Sequence, residues 1–149
     1  QGILAAAPIL LITGAGGAFG TVLKETRIGE TIGNMLAQYQ LGIFLPFVVA
    51  AVFKTAQGSS TVALVATSAL VAPMLASLGL DSLYGKTLAV MATGAGATAV
   101  SHVNDSYFWV VTQFSGMNVT TGYRTHTVAT LLQGVVSMAV VWGISLIIL

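Results

Sequence analysis

Lys54-Thr55-Ala56-Gln57-Gly58-Ser59-Ser60-Thr61 interrupts apolar text on both sides: Leu41 to Phe53 runs into it, and hydrophobicity resumes from Val62 to Leu80. As a helix, the preceding run reaches about 20 Å against a hydrocarbon core of about 30 Å. It is too short to cross. A polar patch between two such helices has two physical solutions: the chain turns back as a re-entrant hairpin, or passes through as a broken helix. Non-helical backbone at membrane depth is tolerated only where it is buried in protein or lines a polar cavity, so such breaks tend to mark binding sites. Gly58 can adopt the turn, and the hydroxyls of Thr55, Ser59, Ser60 and Thr61, the Gln57 amide and the freed backbone amides offer donors to an anion. Lys54 adds a positive charge. The competing reading is a packing loop whose lysine reaches the membrane surface.

The surrounding composition says which solvent applies. Of 149 residues, 56% are hydrophobic and 6% charged, where a soluble domain carries about 25% charged residues. The chain is expected to be an all-α integral membrane protein. A formal net charge of +1 supplies no basic patch for a nucleic-acid partner. With no cysteine, disulfides and thiolate metal sites are excluded.

Working outward, Gly2 to Phe19 reads as a transmembrane helix, ending in the closely spaced glycines Gly14, Gly16, Gly17 and Gly20. Gly16 and Gly20 have the spacing that lets helices approach closely. Residues 21–40 mix Lys24, Glu25, Arg27 and Glu30 with apolar positions at three- and four-residue steps, which suits an interfacial arm. Residues 41–80 carry the first interruption, as a hairpin or a broken helix, and residues 87–117 carry the second. Residues 127–149, free of charge, are the clearest span. The apolar start, without Met or a signal-peptide pattern, is read as the middle of a helix in a longer protein. The expectation is half of a two-repeat transporter.

The second interruption, Asn104-Asp105-Ser106, holds the one acidic residue embedded between apolar segments. An intramembrane carboxylate is a functional hypothesis by default. Asp105 is the candidate proton carrier, with His102 sharing the proton, while Asn104 and Ser106 join the substrate-binding set. The competing reading has Asp105 capping the helix that starts near Tyr107. Other patterns carry less. Gly94-Ala95-Gly96-Ala97-Thr98-Ala99 loosely fits a dinucleotide fingerprint but lacks a βαβ context, so its small residues are assigned to helix packing. Asn118-Val119-Thr120 is a short sequon that arises by chance. His126 has no partner nearby in sequence. No spacing suggests a metal site, a cofactor or a catalytic nucleophile, and no enzyme activity is expected.

The stretches Lys54 to Ala63 and Ser101 to Trp109, with Gly14-Ala15-Gly16-Gly17-Ala18-Phe19-Gly20 ahead of them, resemble the C-terminal part of the gluconate permease family of proton symporters. The resemblance spans the chain. It implies a multi-pass permease of the bacterial inner membrane that takes up gluconate or a related small hydroxy-carboxylate, or in some members D-serine, with H+ as the coupling ion. It also implies two inverted repeats, each pairing a re-entrant hairpin with an interrupted helix at the substrate, in a homodimer moving as an elevator. On that pattern residues 41–80 are the re-entrant hairpin and residues 87–117 the interrupted helix, the N-terminal repeat is a missing partner of this chain and the second hairpin opens outward, although positive-inside counting favours the opposite orientation. Ser106 and Tyr107 fall where members vary, so the carboxylate stays unnamed. The alternatives from other classes are a membrane-embedded assembly subunit, whose polar breaks pair with a neighbouring chain, and a channel.

Overall fold

A computed structural model describes residues 41–149. The expected first span at 2–19 and the interfacial arm at 21–40 lie outside the described residues. Among the described residues all regular structure is helical. Helices are numbered from the first of these.

Helix α1, Phe44–Gln57, stops because Gly58 takes the left-handed conformation (φ 75°) and returns its N–H to the Lys54 carbonyl at 2.8 Å. Only glycine enters that region without steric cost. Ser59 is extended, and its hydroxyl accepts from Val62 N–H at 3.3 Å, capping α2, Ser60–Val71. Two residues thus close one helix and open the next. Ala50 of α1 and Ala63 of α2 are fully buried in one cluster with Ala97 and Phe53. Helix α2 therefore lies alongside α1, and the chain doubles back at Gly58-Ser59.

A 3-10 turn, Ala72–Met74, follows α2 with Pro73 in it. Helix α3, Leu83–Thr98, begins where the Ser82 hydroxyl accepts from Gly85 N–H at 3.0 Å. It starts before the apolar run that marks it in the sequence, because a capping serine rather than hydrophobicity sets the boundary. Helix α3 is central, packing against α1, α2 and the final helix. Its small residues make this possible. A Cβ on Gly96 would meet the Phe47 carbonyl and Ala50, and one on Gly134 would meet Ala99. The main core joins Ile43, Leu80, Leu88, Ala92, Met138 and Val141.

After α3 the chain is irregular through residues 99–105, then forms α4, Ser106–Phe114, and the single turn α5, Val119–Gly122. A π-helical turn, Tyr123–Thr127, leads into α6, Val128–Ile148. From Val119 to Ile148 the helix runs for 30 residues, its most apolar 18-residue stretch has a mean hydropathy of 2.1, and it is long and apolar enough to cross a membrane. Leu132, Val135, Val136, Val140, Leu146 and Ile147 on it are exposed. Such a face belongs against lipid or other protein.

Candidate functional site

The two interruptions meet. Gly58, in the first, packs so closely on the second that a Cβ there would collide with the Asn104 backbone carbonyl. Asn104 Nδ2 donates to the Thr55 carbonyl at 2.8 Å, and His102 Nε2 lies 3.1 Å from the same oxygen. Thr55 is in the last turn of α1, where helix carbonyls lack intrahelical partners, and the second break supplies them.

Beneath this contact sits a buried ion pair. Lys54 is 2% exposed and Asp105 4%. Lys54 Nζ donates to Asp105 Oδ2 at 2.5 Å and to the Gly58 carbonyl at 3.0 Å. The lysine thus points inward to the junction and not to the membrane surface. Asp105 does more than pair. Its Oδ1 accepts Tyr107 N–H at 3.0 Å, capping α4, while Oδ2 also accepts the Ser101 hydroxyl at 2.5 Å. Capping and charge pairing coexist here because a carboxylate has two oxygens.

Ser101 is held from both sides by α6 and the π-helical turn that leads into it. Its N–H donates to Thr130 Oγ1 at 3.0 Å and its carbonyl accepts from Thr127 Oγ1 at 2.6 Å. The residue before it, Val100, has φ 52°. For a β-branched residue that is strained backbone, of the sort that persists where surroundings enforce it and clusters at functional sites. His126, on the π-helical turn, brings Nε2 to 3.1 Å from Ser101 Oγ. Its ring leans on Tyr107 and Phe108 at centroid distances of 5.5 and 6.0 Å.

Of the residues singled out in the sequence, Lys54, Gly58 and Asp105 are buried at the junction, and His102, Ser59 and Ser60 are half-buried. Thr55, Gln57, Thr61, Asn104 and Ser106 are exposed around it. The Thr55 hydroxyl is used within its helix, on the Ala51 carbonyl at 2.8 Å, and Ser59 is used as a cap. Ser101 and His126 were not singled out, and the contact between them spans 25 positions. The local signals are the four-residue spacing of Ser101 and Asp105 and the polar run Tyr123 to Thr127 at the head of the most apolar helix.

The family model described as GntP family permease matches residues 1–147. The chain belongs to the GntP permease family. Among its relatives in this family is the inner membrane permease YgbN of Escherichia coli (strain K12), 39% identical over 139 residues, or 92% of this chain and 30% of that protein. The gluconate permease of Pseudomonas aeruginosa is 36% identical over 150 residues, 99% of this chain and 32% of the relative. The D-serine transporter DsdX of Escherichia coli (strain K12) is 37% identical over 146 residues, 95% of this chain and 32% of the relative. The chain therefore spans about a third of the length of these GntP-family relatives. No solved structure matches it.

Proposed function

We propose that this chain forms the C-terminal part of a proton-coupled permease of the bacterial inner membrane that carries gluconate or a related small hydroxy-carboxylate. The observation that carries the reading is the buried Lys54–Asp105 pair where the two helix interruptions meet. Membership of a permease family and the gluconate permease among the relatives support it. They speak for transport over an enzymatic or purely structural role.

The chemistry of the pair supplies a coupling rule. With Asp105 ionised, Lys54 is neutralised and the junction carries no net charge. A proton on Asp105 removes its hold on the ammonium, which then favours the carboxylate of the substrate. The junction is again neutral. Proton without substrate, or substrate without proton, leaves one uncompensated charge, which is costly in an apolar interior. Only the empty and the doubly loaded states then cross the bilayer cheaply, and this couples the two cargoes. Exposed Gln57, Thr61, Asn104 and Ser106, with Thr55, Ser59 and Ser60, form the rim that receives the hydroxyl groups. Asp105 carries the proton, and His102, on the Thr55 carbonyl, ties the breaks together and is the second candidate for handling it.

In this reading α1 and α2 are the re-entrant hairpin of one repeat, and α3 and α4 its interrupted helix. The N-terminal repeat completes the site, and the whole moves as an elevator within a homodimer. A second substrate reading is D-serine, favoured by the DsdX relatives; it shares the carboxylate that Lys54 would bind. Cysteines introduced at Ser59 and Ser106 in the full-length protein test the site. Protection from water-soluble thiol reagents by gluconate is the expected result. Protection by D-serine alone moves the substrate to the second reading, and protection by neither removes the site.

A further inference from the structure

We propose that His126 and Ser101 are the proton path to Asp105, a proposal that rests on the proton-coupled reading above. The argument starts from the single proton of a serine hydroxyl. Ser101 donates it to Asp105 Oδ2, so the other contact of Ser101 Oγ, to His126 Nε2 at 3.1 Å, is one in which the imidazole N–H donates and Ser101 accepts. The tautomer follows from the network. The result is a directed chain, His126 Nε2–H to Ser101 Oγ–H to Asp105 Oδ2, that ends on the carboxylate facing Lys54.

Such a chain moves one proton with a small displacement of atoms. A proton from water enters at Nδ1 of His126 and makes the ring cationic. The Nε2–H bond then breaks as an O–H bond forms on Ser101, while the original Ser101 proton passes to Asp105 Oδ2. The imidazole ends neutral with its proton on Nδ1, the serine is regenerated, and Asp105 is a neutral acid that frees Lys54. Exchange with water restores the starting tautomer.

The surroundings fit a relay better than a packing contact. Thr127 and Thr130 of the same helical run fix the Ser101 backbone on both sides. Ser101 is 2% exposed, while His126 is half-buried and lies toward solvent from it. The π-helical turn that carries His126 is a local departure of a sort often found at functional sites. Among the described residues, the titratable and charged groups on the elements that meet the ring are Tyr107 from α4, in edge contact with it, Tyr123 and Arg124 on its own turn, and Asp105, with Lys54 behind it, through Ser101. An imidazole is the side chain suited to exchanging protons with water near neutrality.

The test uses the full-length permease in proteoliposomes, with His126→Gln, Ser101→Ala and Ser101→Thr. Glutamine keeps a donor toward Ser101 and so preserves a structural contact, but it cannot pass a proton. Expected for His126→Gln and Ser101→Ala is a fall of at least about tenfold in proton-driven gluconate accumulation, with a flattened pH profile. Gluconate counterflow, which requires no net proton movement, falls much less. Ser101→Thr restores accumulation. Wild-type accumulation and pH profile in His126→Gln, or equal loss of counterflow and accumulation, overturns the relay. If Asp105→Asn still abolishes accumulation in the first of those cases, the proton-coupled reading stands without the relay. Absence of proton-driven accumulation in the wild type removes both.

Discussion

Lys54 and Asp105 are 51 positions apart in sequence, and the charge of each is compensated by the other. Removing one partner of a buried pair leaves an uncompensated charge and costs about 3–5 kcal/mol, whereas removing both can be nearly neutral. Lys54→Met alone is therefore expected to lower the thermal midpoint of the purified permease sharply. Lys54→Met combined with Asp105→Asn should recover most of that loss without recovering proton-driven uptake. A double variant as unstable as the single one contradicts the pairing. Gly58→Ala meets two obstacles, a left-handed backbone that costs an L-residue about 1–2 kcal/mol and a collision with the Asn104 carbonyl. Its thermal midpoint should fall and its substrate affinity weaken, while Gly94→Ala, at an open position, should be silent in both assays.

At the scale of elements, what the sequence made legible were the places where polarity contradicts its surroundings. The patch from Lys54 to Thr61 and the break at Asn104-Asp105 stand out from apolar text, and both are where helices end. How the helices on either side of the first patch pack was not legible. Gly58 and Ser59 allow a turn, but the decision to double back depends on Ala50 and Ala63 sharing a cluster with Ala97. That contact involves α3, far along the chain. Cysteines at Ala50 and Ala97 should therefore cross-link under mild oxidation; failure to do so, with each single cysteine variant transporting normally, would count against this packing. The same packing makes Gly96→Val an overpacking change of about 1–3 kcal/mol, read as a lower thermal midpoint. The pairing of Ser101 with His126 is not legible in the sequence for a related reason. A serine in an irregular loop and a histidine at a helix head become partners only once α6 is docked on α3.

The chain covers about a third of the length of its GntP-family relatives. On the proposed reading, the exposed apolar face of α6 is a surface for lipid and the exposed polar rim around the pair is a surface for a second repeat. The chain reconstituted alone in liposomes is expected to show no gluconate accumulation, and uptake by it would mean that one repeat suffices. At this scale the neutral-pair rule makes its main claim, that substrate anion and proton enter together because Asp105 and the substrate exchange places on Lys54. The most direct measurement is gluconate accumulation by the full-length permease carrying Asp105→Asn, driven by an imposed proton gradient across a range of pH. The neutral-pair rule predicts that accumulation is abolished at every pH. Accumulation that persists with the wild-type dependence on pH would contradict it.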